Sequence, residues 1–499
     1  MGQGRGESTQ WVGRRGPRGS VATRLPPRSV HPATWLAAAV TLWLVALALE
    51  LTRAGLGASL AEHEGRAIVQ AFVVGSTLAL AIALPSAVLA YPLARVVPVP
   101  WLVGLALVSP LARAHGVLAL GTSPGLGASV LAGMGEAVPI AAAFVALVLR
   151  TRPLAWLEAA ADLGASPWAR FRQVEWPSVR IGVGVAAAWV GLRSLGDVVG
   201  PEVAGGGKVY GPGLLLRDAI GFDGAPGRAA VLVLVQLAVG LLLAWWATGR
   251  EGVVVSVRRE RGHLGVGRGL LVAALAGVLL SAVSIGGLLP ALEPGWGRAD
   301  GLLLERLPTT FGLAAITAGL AAVAALMAAD PRAPSRATRA LLFLPLALPP
   351  SVIGLGTLAV AANHGLGPSH ALTVIALAPW SIALGFTTGW LMRGRVPARL
   401  LEAAADLGAG RRQRFARIRL PLAQPAAVAA AALAFAWVLA DRAITGFTTP
   451  PGGGTVASGL AAIVHAGEWA TAVRWSLLLA LVPLGLAASA VVLGRRSTP

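Results

Sequence analysis

The chain has 499 residues, 56% of them hydrophobic and 13% charged, with a mean hydropathy of +0.72, no cysteine and a formal net charge of +19. A soluble domain carries about 25% charged residues, so a soluble enzyme, a secreted disulfide scaffold and a disordered chain are excluded. The absence of thiols also removes thiolate metal sites, redox pairs and cysteine nucleophiles.

In chain order, residues 1–33 set six arginines among Gly, Pro and Ser and read as a disordered basic tail. Apolar runs long enough to cross a ~30 Å hydrocarbon core as helix are then expected over 34–52, 68–92, 99–121, 128–149, 181–200 and 228–247. A basic linker covers 248–268. The second set of spans is expected over 269–290, 307–329, 340–362, 369–392, 422–446 and 470–493, and a short tail over 494–499. The third run of each set is the least clean. With the N-terminus inside, the segments on that side hold 30 of the 41 basic residues, the asymmetry that orients membrane proteins. Both termini are therefore expected in the cytoplasm of a bacterial cell, at its plasma (inner) membrane. The positive charge reads as topology and contact with anionic lipid, with no nucleic-acid partner.

The strongest internal signal is a self-match at an offset of 244 residues. PLAWLEAAADLGASPWARFRQVEWP (153–177) aligns without a gap to PARLLEAAADLGAGRRQRFARIRLP (397–421), with 13 of 25 positions identical. Two related halves follow, 34–247 and 269–493. An even number of spans in each makes the repeats parallel, unlike the inverted pairs of many secondary transporters. The expected fold is an all-α membrane protein of about twelve transmembrane helices in two parallel six-helix repeats.

The two copies lie in the longest inside loops, 150–180 and 393–421. Pro153 suits a first helical position, and Leu157–Leu163 is rich in helix formers. Gly164 can take the left-handed conformation that ends a helix. Ser166 can cap a second short helix that begins at Pro167. The second copy keeps Pro397 and Gly408 but has Gly410 and Arg411 at the restart, so a weaker cap is expected there. Alanines let such a helix approach a partner closely. Glu158 and Glu402 supply a fixed charge, and Asp162 and Asp406 fall one turn further along the same face.

The pattern E-A-A-x3-G, nine residues, hydrophobic-x-hydrophobic-P resembles the "EAA" coupling loop of ABC-importer permeases. Glu158, Ala159, Ala160, Gly164, Val174, Trp176 and Pro177 carry it in the first copy; Glu402, Ala403, Ala404, Gly408, Ile418, Leu420 and Pro421 carry it in the second. The resemblance implies a permease whose two loops seat on a separate cytoplasmic ABC ATPase, present in two copies, with an extracytoplasmic solute-binding protein as its other partner. The two-half layout resembles the fused permeases for thiamine or ferric iron. FRQVEWPSVR (171–180) and the stretch from Phe222 to Gln236 lean towards the thiamine members.

The chain is not expected to hydrolyse ATP itself. Its only lysine, Lys208, precedes Val209, so there is no G-K-[ST] phosphate loop. No catalytic triad or metal cluster stands out among seven scattered histidines, and no cofactor is implied. Ionisable residues inside spans are the candidates for the translocation path. Asp197 and Asp441 fall at the same 244 offset; Arg193 lies four residues before Asp197, and Arg442 adjoins Asp441. A structural ion pair and a substrate contact both fit these acids. Ser194-Leu195-Gly196-Asp197 resembles the S-L-G-[DE] segment of these permeases at a gate-forming span. Glu136, Arg113 and His115 have no charged counterpart at the offset. Trp35, Trp43, Trp101, Trp245, Trp246, Trp390 and Trp475 are expected as interfacial anchors. Parallel repeats also suit an ion-coupled secondary transporter, which is the alternative function.

Overall fold

The computed structural model describes residues 34, 36–40, 62–106, 108, 110–149, 154–221, 226–248, 271–272, 274–279, 297–330, 334–393 and 396–496. The basic tail, the linker beyond residue 248, Pro153 and most of the expected spans 34–52 and 269–290 lie outside them. Every regular element among the described residues is helical.

We number the helices α1 (Glu62–Val96), α2 (Val99–Ala106), α3 (Pro110–Ala119), α4 (Leu126–Leu149), α5 (Leu154–Asp162), α6 (Pro167–Arg170), α7 (Trp176–Leu195), α8 (Pro212–Gly221) and α9 (Pro226–Thr248). The second set is α10 (Arg298–Glu305), α11 (Leu307–Ala328), α12 (Arg336–Ala347), α13 (Pro350–Asn363), α14 (His370–Leu391), α15 (Ala398–Asp406), α16 (Arg411–Arg414), α17 (Leu420–Ala440), α18 (Thr445–Thr448), α19 (Val456–His465) and α20 (Trp469–Arg496). Among the described residues, five helices are long and apolar enough to cross a membrane, or six if the bent pair α12–α13 is one span. The chain is an all-α membrane protein.

Four expected spans are corrected, among them 181–200, whose helix ends at Leu195. The runs 99–121 and 340–362 are not straight helices. The first is split into α2 and α3, and the second turns through 92° between α12 and α13. Proline sits at each restart, Pro110 and Pro350; it lacks an N–H and pushes the preceding residue out of helical geometry, so the helix stops there. The run 422–446 ends as a helix at Ala440, and Asp441 is already extended.

The packing repeats. In the first half α1 packs on α4 and α7, and in the second α11 packs on α14 and α17. The small residues explain the close fit: Gly385 and Gly389 on α14 leave their Cα atoms against the backbone of Ala321 and Ala325 on α11, while Ala430 and Ala434 of α17 complete that cluster. Helices in lipid associate through such small-residue contacts because no water-driven term separates helix from tail. The two triads are then cross-laced. α9 packs on α12, and α20 on α2 and α3. One hydrophobic core accordingly runs through both halves, from Met134 and Trp189 to Trp380 and Trp437.

Candidate functional site: paired loops and a pseudo-symmetric centre

Each 25-residue repeat folds into the same device. A short helix carries the Glu and Asp (α5, α15), a left-handed glycine ends it, and a second helical turn (α6, α16) runs into a π-helical turn, Phe171–Glu175 or Phe415–Arg419, that opens the next span. Gly164 has φ +77° and Gly408 φ +82°, the conformation in which a Cβ would be strained. Ser166 Oγ accepts the Ala169 N–H at 3.2 Å. At the second restart Gln413 Oε1 accepts the N–H of Gly410 itself at 3.2 Å, and no side chain takes the capping place of the serine. Pro397 sits one residue before α15, in extended conformation.

Both loops offer one exposed surface. Glu158, Ala159 and Asp162, and Glu402, Ala403 and Asp406, are exposed, while Ala160 and Ala404 are half-buried. Leu163 and Leu407, also at the 244 offset, are 88% and 89% exposed. An exposed leucine beside a carboxylate thus stands at the same point of both loops. The sequence motif drew attention to the acids; the leucines beside them were identical in both copies but read as helix formers. Pro177 and Pro421 lie at the second position of α7 and α17, directly after the π-helical turn that opens each helix.

At the far end of α7 and α17 the structure reassigns the candidate path residues. Arg193 does not pair with Asp197: its Nε donates to Glu136 Oε1 at 2.6 Å, joining α7 to α4. Asp197 instead accepts the N–H groups of Val199 and Gly200 at 3.1 and 3.2 Å. Asp441 does the same for Ile444 and Thr445, at 3.1 and 2.9 Å. The duplicated acids thus cap the turn that follows the fifth span of each half, the reason a carboxylate recurs there. Ser194 donates its hydroxyl to Val190 O at 2.9 Å. Arg442 does not bond Asp441; it faces Glu202 of the first half at 3.7 Å, and Arg217 holds the other Glu202 oxygen at 2.6 Å.

The repeat extends beyond the sequence match. Gly125 N donates to Ala204 O, and Ser369 N to Thr448 O, each at 2.9 Å, with both partners displaced by 244. Glu136 also acquires a counterpart. The positions 244 residues after Glu136 and Arg193 are Trp380 and Trp437, whose rings stack with centroids 3.6 Å apart and planes inclined by 13°. An ion pair and a stacked indole pair therefore do the same job, clamping the fourth span of each half to the fifth. No charge comparison along the sequence could match them.

The remaining candidates divide. Arg113 is wholly buried in α3 and donates to Leu105 O, and His115 is buried beside it. Trp101, Trp245 and Trp246 are exposed at helix ends, as interfacial anchors would be. Trp475 is not: it is buried, and its Nε1 donates to Asp300 Oδ1 at 2.8 Å, with Arg474 on the same carboxylate. The Trp390 ring has the guanidinium groups of Arg339 and Arg393 at 5.7 and 5.4 Å from its centroid and is only partly exposed.

Residues 318–493 match the family described as the inner membrane component of binding-protein-dependent transport systems. That stretch is similar to the membrane components of such transport systems. It runs from the middle of α11 to the end of α20 and includes the second loop, α15 to the π-helical turn. Among curated proteins none matches the chain.

Proposed function

We propose that the whole chain is the permease subunit of an ABC importer, a fused pair of halves that forms the translocation pathway for a small solute, with thiamine or ferric iron favoured. The family match covers only the second half. The observation that carries the reading to the first is the same exposed loop, built twice from Glu, Asp, a bare leucine and a left-handed glycine. In this reading Glu158, Ala159, Ala160, Asp162, Gly164 and Pro177, and Glu402, Ala403, Ala404, Asp406, Gly408 and Pro421, form the two coupling surfaces. Two copies of a cytoplasmic ATPase seat on them, and a solute-binding protein docks at the other end. ATP-driven closure of the motor pushes the loops together and opens the far end to receive cargo. In this reading Asp197, Asp441, Arg193 and Ser194 border the translocation path, the two acids through the turns they cap and Arg193 through its clamp on Glu136.

The test is retention of the ATPase and uptake in vesicles. Glu158→Lys with Glu402→Lys, or Leu163→Glu with Leu407→Glu, should leave insertion intact, because exposed substitutions usually change stability by less than about 0.5 kcal/mol. Each pair should abolish ATP-driven uptake, and the leucine pair should also release the ATPase. Undiminished uptake in both double variants would refute the coupling surface. Uptake that survives loss of the ATPase but collapses with an ionophore would instead establish the ion-coupled alternative.

A further inference from the structure

The alignment of the two loops contains one reversal of charge, Glu175 opposite Arg419, and each is bonded to a different partner set. Both residues end their π-helical turn, and both reach the first long helix of their own triad. Glu175, buried with 5% of its side chain exposed, binds Arg95 and accepts the Tyr91 hydroxyl in the last two turns of α1. Arg95 donates in turn to Tyr91 at 3.0 and 3.2 Å, and Phe171 packs on the Tyr91 ring with centroids 5.1 Å apart. In the second half Arg419 donates to Asp330 at 2.9 Å, and to the Leu326 and Met327 carbonyls at 2.9 and 3.2 Å, closing the end of α11. The acid is on the loop in one half and on the helix side in the other.

We propose that these two charge-inverted pairs are the positioning links that carry movement of each loop into α1 and α11, and that their opposite polarity confines each loop to its own half. The proposal rests on the coupling-loop reading above. Removing one partner of a buried pair leaves an uncompensated charge, so loop and helix move together rather than part. α1 and α11 are the central members of their triads, and a 22-residue helix spans roughly 33 Å. A displacement at the loop end is thereby delivered to the opposite end of the halves. Exchanged loops would set Glu175 against Asp330 and the carbonyl end of α11, and Arg419 against Arg95. Like charges there repel, so a chain with two similar loops cannot assemble them crosswise.

The chain contains no cysteine, so Lys208→Cys with Pro451→Cys introduces the only thiols for spin labels. Both positions are exposed and follow the fifth span of their halves. The label-to-label distance is measured in the full permease with its co-purified cognate ATPase, before and after adding ATP with hydrolysis blocked. In the parent, ATP should widen the distance. In Glu175→Arg the widened fraction should fall about tenfold or more while the ATPase stays bound, and Glu175→Arg with Arg95→Glu should restore it, since Tyr91 can donate to or accept from either partner. If Glu175→Arg does not insert, Glu175→Gln replaces it and should give a smaller loss of the same sign. Undiminished widening in the inserted single variant, or no recovery in the exchanged pair, overturns the transmission role with the coupling reading intact. A parent that retains no ATPase overturns that reading itself.

Discussion

Glu136 shows how far one residue's role depends on what stands across from it. Its carboxylate and Arg193 are mostly buried and bonded at 2.6 Å, and the equivalent pair in the other half is two indoles. Opposite charges and stacked aromatic faces solve the same packing problem with different energetics. The ion pair is sensitive to loss of one partner and tolerant of loss of both, because the large term is the charge left behind. Glu136→Leu should therefore lower stability by about 3–5 kcal/mol, and adding Arg193→Met should recover most of that loss. Thermal unfolding in detergent across the four members of the cycle would check it; strictly additive losses would show that the two side chains do not act as a pair. The stacked pair has no such compensation, since truncating either indole opens a cavity.

Elements are held at distances that small residues set. Gly385 and Gly389 let α14 lie against the backbone of α11, and a Cβ at either position would press on the carbonyl of Ala321 or Ala325. Gly385→Leu should abolish the folded second triad, read as loss of monodisperse protein after extraction. Gly164→Ala faces open space and strains only a left-handed φ, a penalty of about 1–2 kcal/mol, so that variant should still insert. Comparable behaviour of the two would contradict the close approach of α11 and α14. The loop helices were legible in the sequence to this level: the glycine stop, the serine cap at Ser166 and the restart at Pro167 follow from chemistry a few residues wide. Where prolines break a helix was legible only in part. Pro110 and Pro350 end helices, whereas Pro85, Pro139 and Pro379 lie inside long ones, because neighbouring helices support those kinks in an apolar environment.

Across the whole molecule the halves are joined by exchanged helices rather than by charge. α9 packs on α12, and α20 on α2 and α3, with Val473 buried against Val108 and Ala112. Among the described residues Arg442 faces Glu202 across the halves at a long 3.7 Å, and Arg217 already serves that carboxylate. Residues 1–248 and 249–499 produced as two chains in one cell should therefore co-purify, and Arg442→Ala should leave that association unchanged, since a partly exposed pair is worth about 0–1 kcal/mol. Recovery of one chain without the other would refute the exchange. Hydropathy determined the all-α membrane class by itself, and the 244-residue repeat determined where two equivalent loops lie. Both signals depend on composition and on residues close together in the chain. Partner choice did not follow, because Arg193 meets Glu136, Glu175 meets Arg95 and Arg419 meets Asp330 across separations of 57, 80 and 89 residues. Only the packing of the helices brings those side chains together, and there burial makes an opposite charge the nearest escape from an unpaired one.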